Sequence, residues 1–232
     1  MTARGGLLVA LLAIGAAAPA HAAAPDVPLS NEWTVTRWAY PNALVAARSR
    51  PSAGAPKVAR LHYFTEDGKP EVYLVLARRP VHGHAWVRIR LPMRPNGRTG
   101  WVRREALGGY HVVHTALGIN RHAMRATLYR DGKRVWHSPV GTGRPSMPTP
   151  PGHFWIREKM RGFGATYGPI AFGTSAYSVL SDWPGGGVVG IHGTDQPSLI
   201  PGHPSHGCVR VPNSAILRLA RMMPLGTPVR IV

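Results

Sequence analysis

The sequence predicts a mainly β protein, in which a small barrel is followed by a second β-rich unit that ends in a short helix. Short runs of β-branched and aromatic residues recur between turn residues along most of the chain, as they do in small β domains. Only one segment, near the C-terminus, has apolar residues at helical spacing. The chain has 232 residues, which at ~100–200 residues per domain allows one large or two small domains.

Residues 1–24 differ from the rest of the chain and predict a secretory signal peptide. Arg4 precedes the apolar run from Leu7 to Ile14, and small residues follow around Ala20-His21-Ala22, which is the order of a signal peptide. A membrane anchor is the alternative, but the run is shorter than the ~20 residues that span a bilayer. We therefore expect an exported protein, in the cell wall or periplasm, whose mature chain begins near Ala23 or Pro25.

The charge balance restricts the classes of partner. The chain has 28 Lys and Arg against 10 Asp and Glu, a net charge of +18. Such a charge could suit nucleic acid, an anionic membrane face or a polyanionic wall. Export argues against nucleic acid, and no basic run interleaved with aromatic residues predicts base stacking. An anionic cell wall is the predicted partner, although genomic composition would also explain part of the Arg excess. The oligomeric state is not predicted.

The pattern of strands and turns in residues 33–108 predicts the barrel. Runs at 43–47, 72–76 and 86–91 read as strands, and the last alternates apolar and basic side chains as a half-buried strand does. The runs Trp86-Val87-Arg88-Ile89 and Gly100-Trp101-Val102, with a Pro/Asn/Gly turn between them, resemble the bacterial SH3-like domains of cell-wall enzymes. That resemblance implies a module that binds wall polymer or orients a catalytic domain. A structural β-subdomain without a ligand is an equal alternative.

Residues 112–232 predict the second unit. Asp131-Gly132 lies between two alternating runs, at 124–130 and 133–137, and predicts a two-residue hairpin. A strand at 153–156 follows a Pro/Gly loop, and residues 228–232 predict a closing strand. The helix is expected over 213–223, with Asn213 or Ser214 as its cap. Its apolar face is expected to hold Ile216, Leu217, Ala220 and Met223.

Cys208 is the only cysteine, so it cannot form an internal disulfide. In an exported protein, such a cysteine forms an intermolecular disulfide, has no particular role, or is a reactive thiol. A catalytic thiol needs a neighbouring imidazole or positive field that favours the thiolate, and His192 and His206 are close in sequence. No histidine follows Cys208, which excludes the papain-like and NlpC-type enzymes, where the cysteine comes first. The backbone N–H groups of Gly207 and Cys208 could stabilise an oxyanion.

Two blocks carry a resemblance to a known family. They are Ile191-His192-Gly193-Thr194-Asp195 and Pro204-Ser205-His206-Gly207-Cys208-Val209-Arg210, and together they resemble the YkuD-type L,D-transpeptidases over residues 112–232. The resemblance implies a mainly β fold, in which the SH3-like barrel precedes a YkuD-type catalytic domain with a short C-terminal helix. It also implies that Cys208 is the nucleophile, that His192 is the base, and that Ser205, His206 and Gly207 shape the site. Gly193 could orient His192 only through its carbonyl, so the third triad member stays open.

The resemblance further implies the reaction. Cys208 would attack the bond between the third residue of a peptidoglycan stem peptide and a terminal D-Ala, release D-Ala and leave a thioester. An amine of a second stem would then form a 3→3 cross-link, whereas water would give an L,D-carboxypeptidase. A wall-binding protein without catalysis is the alternative from another class.

Four residues are candidates for substrate contact: Arg210 for a stem carboxylate, Tyr167 and Trp183 for a groove, and Thr194 beside His192. Each also has a structural interpretation, as a packing or solvated side chain. No cofactor and no metal are expected. His192, His203, His206 and Cys208 have ligand types that suit zinc, but their spacing fits no zinc pattern.

Overall fold

The computed structural model describes residues 25–162, 164–182 and 184–232. The predicted signal peptide lies outside these residues. In the described part of the chain, the first eight strands form one mainly antiparallel sheet in the order β4-β3-β7-β6-β5-β2-β8, with β1 paired to β5. These strands are β1 (Val27–Pro28), β2 (Thr36–Ala39), β3 (Ala46–Arg48), β4 (Lys57–Arg60), β5 (Tyr73–Val81), β6 (His84–Arg90), β7 (Thr99–Arg103) and β8 (His111–Val113).

Alternating side chains explain why β5, β6 and β7 form the centre of this sheet. Tyr73 and Val75 of β5 pack with Val87 and Ile89 of β6 and Val102 of β7 in one buried cluster. Side chains two residues apart share a face of a strand, so each strand contributes every second residue to that core. The predicted strands at 72–76 and 86–91 are both present, and the first of them extends to Val81.

The remaining described strands form a second sheet in the order β11-β10-β9-β18-β13-β14-β15-β17-β12-β16. They are β9 (Thr115–Asn120), β10 (Arg125–Arg130), β11 (Lys133–Pro139), β12 (Gly141–Gly143), β13 (Gly152–Met160), β14 (Ala171–Tyr177), β15 (Val188–His192), β16 (Gly202–Ser205), β17 (Val209–Arg210) and β18 (Pro228–Ile231). The predicted hairpin is confirmed, because β10 and β11 pair with Arg130 opposite Lys133. Asp131 and Gly132 have φ angles of 51° and 75°, as the tightest hairpin turn requires.

The one α-helix among the described residues, α1 (Asn213–Met222), lies where the sequence predicts it. Two details of the prediction are wrong. Pro212 is the N-cap residue, and no side chain caps the helix, because Asn213 already lies in its first turn. Leu217 is 39% exposed whereas Leu219 is fully buried, since residue 219 lies three positions after Ile216 and shares its face of the helix.

The core of the second sheet lies between its strands and α1. Phe154, Ile156 and Phe172 from the sheet belong to one buried cluster with Ile216 and Leu219 of the helix. Val189, Ile191 and Val209, from β15 and β17, belong to the same cluster. The helix therefore packs on the part of the sheet that carries the two sequence blocks.

Buried polar contacts join the two sheets. Arg157 of β13 donates from Nε to Glu71 Oε1 at 2.8 Å and also forms an ion pair with Glu66 at 2.9 Å. Both Arg157 and Glu71 are fully buried, and the Trp155 indole N–H donates to the Val72 carbonyl at 2.7 Å. The first sheet is thus packed against the second through charged and aromatic side chains.

The observed fold confirms the predicted class, which is mainly β with a short helix near the C-terminus. Within the described ranges, no helix combines the length and apolar character needed to cross a bilayer. The division at residues 33–108 and 112–232 and the likeness of the first unit to SH3 domains stay predictions.

Candidate active site

Adjacent strand ends bring the predicted nucleophile and base together. β15 and β17 are parallel neighbours, with Ile191 paired to Val209, so Cys208 lies beside Gly190. The Gly190 N–H donates to Cys208 Sγ at 3.3 Å. His192 lies two residues after Gly190 on the same strand, and residues two apart share a face. The pairing thus places both functional side chains on one side of the sheet.

Both side chains line one cavity of about 180 Å³. The cavity is also lined by Asp67 from the first sheet's unit and by Met160, Tyr167, Ala171, Phe172, Gly173, Gly185, Val188 and Gly190. The predicted groove residue Tyr167 is therefore at the site, and its ring centre lies 4.9 Å from that of His192. Cys208 is partly exposed as a residue and lines the cavity, so a peptide in this cavity could approach it.

The imidazole of His192 is oriented by the backbone of the next residue. His192 Nδ1 lies 2.6 Å from the Gly193 carbonyl oxygen. Because a carbonyl can only accept, Nδ1 carries the proton and donates, which leaves Nε2 as the acceptor of the neutral ring. The sequence allowed Gly193 to orient His192 only through its carbonyl, and this is the contact observed. The Gly193 carbonyl could therefore act as the third member of a catalytic triad.

Asn213 holds the Gly193 backbone in place, and the sequence predicted only a cap at that position. The Thr194 N–H donates to Asn213 Oδ1 at 2.8 Å, and the Gly193 N–H donates to the Ile170 carbonyl at 3.1 Å. A Cβ on Gly193 would overlap Asn213 Oδ1. Glycine is therefore required at position 193 by close packing.

The turn before Cys208 is closed by Ser205 and Thr149. Ser205 Oγ donates to the Cys208 carbonyl at 2.5 Å and accepts from the Gly207 N–H at 3.1 Å. Thr149 Oγ1 donates to the Gly207 carbonyl at 2.8 Å. Gly207 has a φ of 126°, which a residue with a Cβ rarely adopts. The expectation for the Gly207 N–H as an oxyanion donor is corrected, because that group is used inside the turn.

The sequence suggested the His206 ring as a possible neighbour of the Cys208 thiol, but the ring contacts Arg144. His206 Nε2 contacts the guanidinium of Arg144, so this nitrogen accepts. Partial burial, followed by the positive charges of Arg144 and Arg210, lowers the pKa of His206. His206 is therefore neutral near pH 7, and its ring contact lies in the loop that Arg144 belongs to.

Burial favours the uncharged forms of Cys208 and His192. Burial raises the pKa of the Cys208 thiol, although the Gly190 N–H and the positive charge of Arg210 act in the opposite direction. Burial also lowers the pKa of His192 to about 4, and the Gly193 contact offsets this only in part. The resting site is therefore a neutral thiol beside a neutral imidazole.

Comparisons with known proteins show the family of the second unit. The sequence pattern of the YkuD family, the L,D-transpeptidase catalytic domain, matches residues 114–231. This chain belongs to the YkuD family. The matched segment contains β9 to β18, α1 and both sequence blocks, so the family assignment covers the whole second sheet.

Two curated relatives are the YkuD proteins of Bacillus subtilis and Bacillus licheniformis. The first is 30% identical over 118 residues, which are 51% of this chain and 65% of that protein. The second is 32% identical over 116 residues, which are 50% of this chain and 63% of that protein. The matches thus span less than two thirds of either relative. An L,D-transpeptidase structure from Enterococcus faecium is 26% identical, covering 51% of this chain and 49% of that one, with a TM-score of 0.41.

Two of the remaining candidates for substrate contact, Arg210 and Thr194, have hydrogen-bond partners within the protein. Arg210 Nη1 donates to Gln196 Oε1 at 2.9 Å, while its charge acts on both Cys208 and His192. Thr194 is buried, and its Oγ1 accepts from the Gln196 N–H at 3.0 Å, so its predicted substrate contact is corrected to a loop contact. Trp183 lies outside the described residues.

The possible zinc ligands have other partners. His203 Nδ1 lies 2.9 Å from Thr142 Oγ1, and His206 contacts Arg144. Among the described residues, no three His, Cys, Asp or Glu side chains are grouped as a metal site would require.

Sequence reasoning missed Thr149, Asn213 and Asp67. Thr149 lies in the Pro/Gly loop, and Asn213 lies at the start of the helix. Threonine is common in loops and asparagine at helix starts, so neither residue indicated a role in the site. Asp67 lies more than 100 residues before the two blocks, in a turn that had no apparent link to them. No local signal could have placed it in the cavity.

Proposed function

We propose that this protein is a peptidoglycan L,D-transpeptidase that forms 3→3 cross-links through a thioester on Cys208. The observation that carries the proposal is that Cys208 and His192, from adjacent strands, line one cavity in a chain of the YkuD family. A thiol and a base within one cavity suit acyl transfer by nucleophilic catalysis. The substrate would be the bond between the third residue of a stem peptide and its terminal D-Ala.

Acylation starts from the neutral pair. As Cys208 Sγ attacks the carbonyl carbon, its proton moves to His192 Nε2, which is the acceptor nitrogen because Nδ1 donates to Gly193. The carbonyl oxygen becomes an oxyanion, and we assign the Cys208 N–H as its donor, since the Gly207 N–H is occupied. His192 then gives the proton to the departing nitrogen, the C–N bond breaks, D-Ala leaves and a thioester remains.

Deacylation uses the same residues in reverse. The amine of a second stem attacks the thioester carbonyl and loses a proton to His192, and a C–N bond forms. The C–S bond then breaks, and the sulfur regains the proton from His192. Water in place of the amine would release a tripeptide, which is the L,D-carboxypeptidase outcome.

Export and wall association belong to the same proposal. The signal-peptide pattern of residues 1–24 favours export, and the net charge of +18 favours attraction to an anionic wall. The first sheet's unit would act as the SH3-like module that the sequence suggests. Its supporting observation is the packing of the unit against the catalytic half through Arg157, Glu66 and Glu71.

Incubation of the mature protein with disaccharide tetrapeptide tests the proposed reaction. Mass spectrometry should detect a 3→3 dimer and free D-Ala, and the ratio of dimer to tripeptide separates the transferase from a carboxypeptidase. Cys208→Ala and His192→Ala should each lower D-Ala release by about 10³-fold or more, as losses of residues that act as a catalytic unit do. His203→Ala is the matched control and should stay active, because His203 bonds to Thr142 away from the cavity.

A carbapenem supplies a second test, which addresses the wall-binding alternative. An acyl adduct of one carbapenem on the intact protein, absent from Cys208→Ala, would contradict a role limited to wall binding. D-Ala release that persists in Cys208→Ala would overturn the assigned nucleophile.

A further inference from the structure

A turn from the first sheet's unit forms part of the catalytic cavity. The chain between β4 and β5 reverses at residues 65–69, where the Thr65 N–H donates to the Lys69 carbonyl at 2.7 Å and the Gly68 N–H donates to the Thr65 carbonyl at 3.0 Å. Asp67, in the middle of this turn, lines the same cavity as Cys208 and His192. The cavity wall is therefore built by both halves of the chain.

Neighbouring residues hold this turn against the second sheet. Glu66 forms an ion pair with the buried Arg157 at 2.9 Å and accepts from the Tyr177 hydroxyl. Thr65 Oγ1 donates to Glu158 Oε2 at 2.6 Å. Because Thr65 and Glu66 precede Asp67 directly, these contacts fix the turn that carries Asp67.

A second carboxyl group, that of Glu158, lies directly behind the same wall, against Gly173. Glu158 is only 2% exposed, and its Oε1 has no hydrogen-bond donor among the described residues. A Cβ on Gly173 would overlap Glu158 Oε1, and Gly173 itself lines the cavity. A buried carboxylate oxygen without a donor is costly, so Glu158 either shares a proton with the neighbouring Asp67 carboxyl group or takes up a cationic partner.

The carboxyl groups of Glu158 and Asp67 are hydrogen-bonding neighbours. Burial, the negative charge of Asp67 and a hydrogen bond to the Asp67 carboxyl group raise the pKa of Glu158 to about 7, against the bond from Thr65 and the charge of Arg157. Asp67 also contributes, after burial and Cys208, to the raised pKa of Tyr167. In a protein with a net charge of +18, this pair is a local negative site beside the nucleophile.

We propose that Asp67 and Glu158 bind the side-chain ammonium group of the residue whose carbonyl Cys208 attacks. A primary ammonium has three N–H donors and a positive charge, so it can donate to Glu158 Oε1 and to Asp67 in place of the proton that the two carboxyl groups share. The inference rests on the proposed function, because it concerns the acyl donor of that reaction. It makes the first sheet's unit a determinant of substrate choice.

The pair suits the donor rather than the incoming nucleophile. An amine held by two carboxylates keeps its proton, since opposite charges favour the charged form. A protonated amine has no lone pair and cannot attack a thioester. The ammonium bound here is therefore a group that does not react.

Binding measurements in a Cys208→Ala background test the subsite without turnover. Two tetrapeptide stems are compared by calorimetry, one with lysine at the third position and one with Nε-acetyl-lysine. We expect the lysine stem to bind about tenfold more tightly, as a charge-assisted contact supplies. Adding Asp67→Asn should weaken the lysine stem about tenfold and leave the acetylated stem unchanged.

Glu105→Gln is the matched control, because Glu105 is an exposed carboxylate on the first sheet's unit and does not line the cavity. It should change neither affinity. Equal binding of both stems, no detectable binding of either, or an equal loss for both with Asp67→Asn would overturn the subsite. Melting temperatures identify any loss of fold.

D-Ala release by the protein with Cys208 intact separates the two proposals. If neither stem releases D-Ala, the proposed reaction fails, while the binding preference still decides whether the subsite exists. If both stems release D-Ala at equal kcat/KM and bind equally, the reaction stands and the subsite is wrong.

Discussion

His192 and Cys208 lie in surroundings that favour the neutral form of each side chain. Cys208 has one N–H donor to its sulfur, from Gly190, and His192 has one acceptor, the Gly193 carbonyl. Papain-type thiol enzymes instead keep a thiolate paired with a charged histidine. In the proposed reaction, the proton would therefore move between these two residues during the attack on substrate, and the thiol alone is expected to react slowly.

The pH dependence expected for the proposed reaction, with His192 as its base, follows from the lowered pKa of His192. The base must be neutral, and its pKa of about 4 keeps it neutral well below the ordinary value of ~6.5. The acid limb of kcat/KM for D-Ala release should therefore lie near pH 4, because kcat/KM reports the free enzyme. Alkylation of Cys208 by iodoacetamide should increase with pH up to values above the ordinary thiol pKa.

A stability control accompanies this prediction. His192 takes up its proton at a lower pH in the folded state than in the unfolded state, so the unfolded state binds more protons between about pH 4 and pH 6.5. The stability present above pH 6.5 is then partly lost as the pH falls toward 4. Circular dichroism at each pH gives the folded fraction, and an acid limb near pH 6.5 in fully folded protein would contradict the prediction.

At the scale of the element, a loop of the first sheet's unit supports one wall of the cavity. Asn96 Nδ2 donates to the Tyr177 carbonyl at 2.9 Å, and its Oδ1 accepts from the Tyr177 N–H at 3.0 Å. Arg94 donates to the carbonyls of Ser178 and Leu180. The end of β14 and the residues after it are thus fixed from outside the second sheet, and this segment leads to the cavity residues Gly185 and Val188.

Asn96→Ala should weaken substrate binding through this contact. It removes two hydrogen bonds, each with a net contribution of about 1 kcal/mol, and leaves the backbone of Tyr177 without its partner. We expect KM for the tetrapeptide stem to rise several-fold while kcat changes less, as measured by initial rates of D-Ala release. Asn120→Ala is the control, since Asn120 accepts one backbone N–H, from Ala123, away from this cavity. Equal changes of KM in both variants would show that the contact has no positioning role.

The helix illustrates how an element can have a function that its pattern does not indicate. The composition around residue 213 is typical of a helix start, and α1 does begin there. The Asn213 side chain, however, accepts from the Thr194 N–H and packs against Gly193. The helix thus positions the carbonyl that orients His192, in addition to packing on the core.

At the scale of the whole molecule, the buried charges between the sheets hold the two halves together. Arg157 and Glu71 have no exposed side-chain surface, and Glu71 Oε1 also accepts from the Val72 N–H at 2.9 Å. The charge of Arg157 is then stabilised by Glu71 and Glu66, and the charge of Glu71 mainly by Arg157. Loss of one partner leaves the other buried without compensation.

Arg157→Met should therefore destabilise the protein by about 3–5 kcal/mol, the usual result when one member of a buried pair is removed. The double variant Arg157→Met with Glu71→Leu should recover part of this loss, because no isolated charge remains. Urea unfolding of the four proteins in this cycle gives the coupling free energy. Glu105→Gln, which alters an exposed pair, should change stability by less than about 1 kcal/mol. A loss of that small size for Arg157→Met would show that the pair does not hold the halves together.

The sequence by itself determined the features that depend on neighbours along the chain. The Asp131-Gly132 hairpin, the helix near residue 213 and the mainly β class follow from turn chemistry and from periods of two or 3.6 residues. The order of His192 before Cys208, together with the block around each, predicted the family. Those signals extend over a few residues, so they can be read without a structure.

Only the tertiary structure decided which atoms share the cavity and which forms they favour there. Asp67, Glu158 and Asn96 come from distant segments, and their contacts depend on how two sheets pack. The role of the Gly207 N–H was predicted incorrectly because Ser205 competes for it inside a folded turn. The pKa directions of His192 and Cys208 follow from burial, and burial is a property of the packed molecule, since it depends on every atom that excludes water from the site.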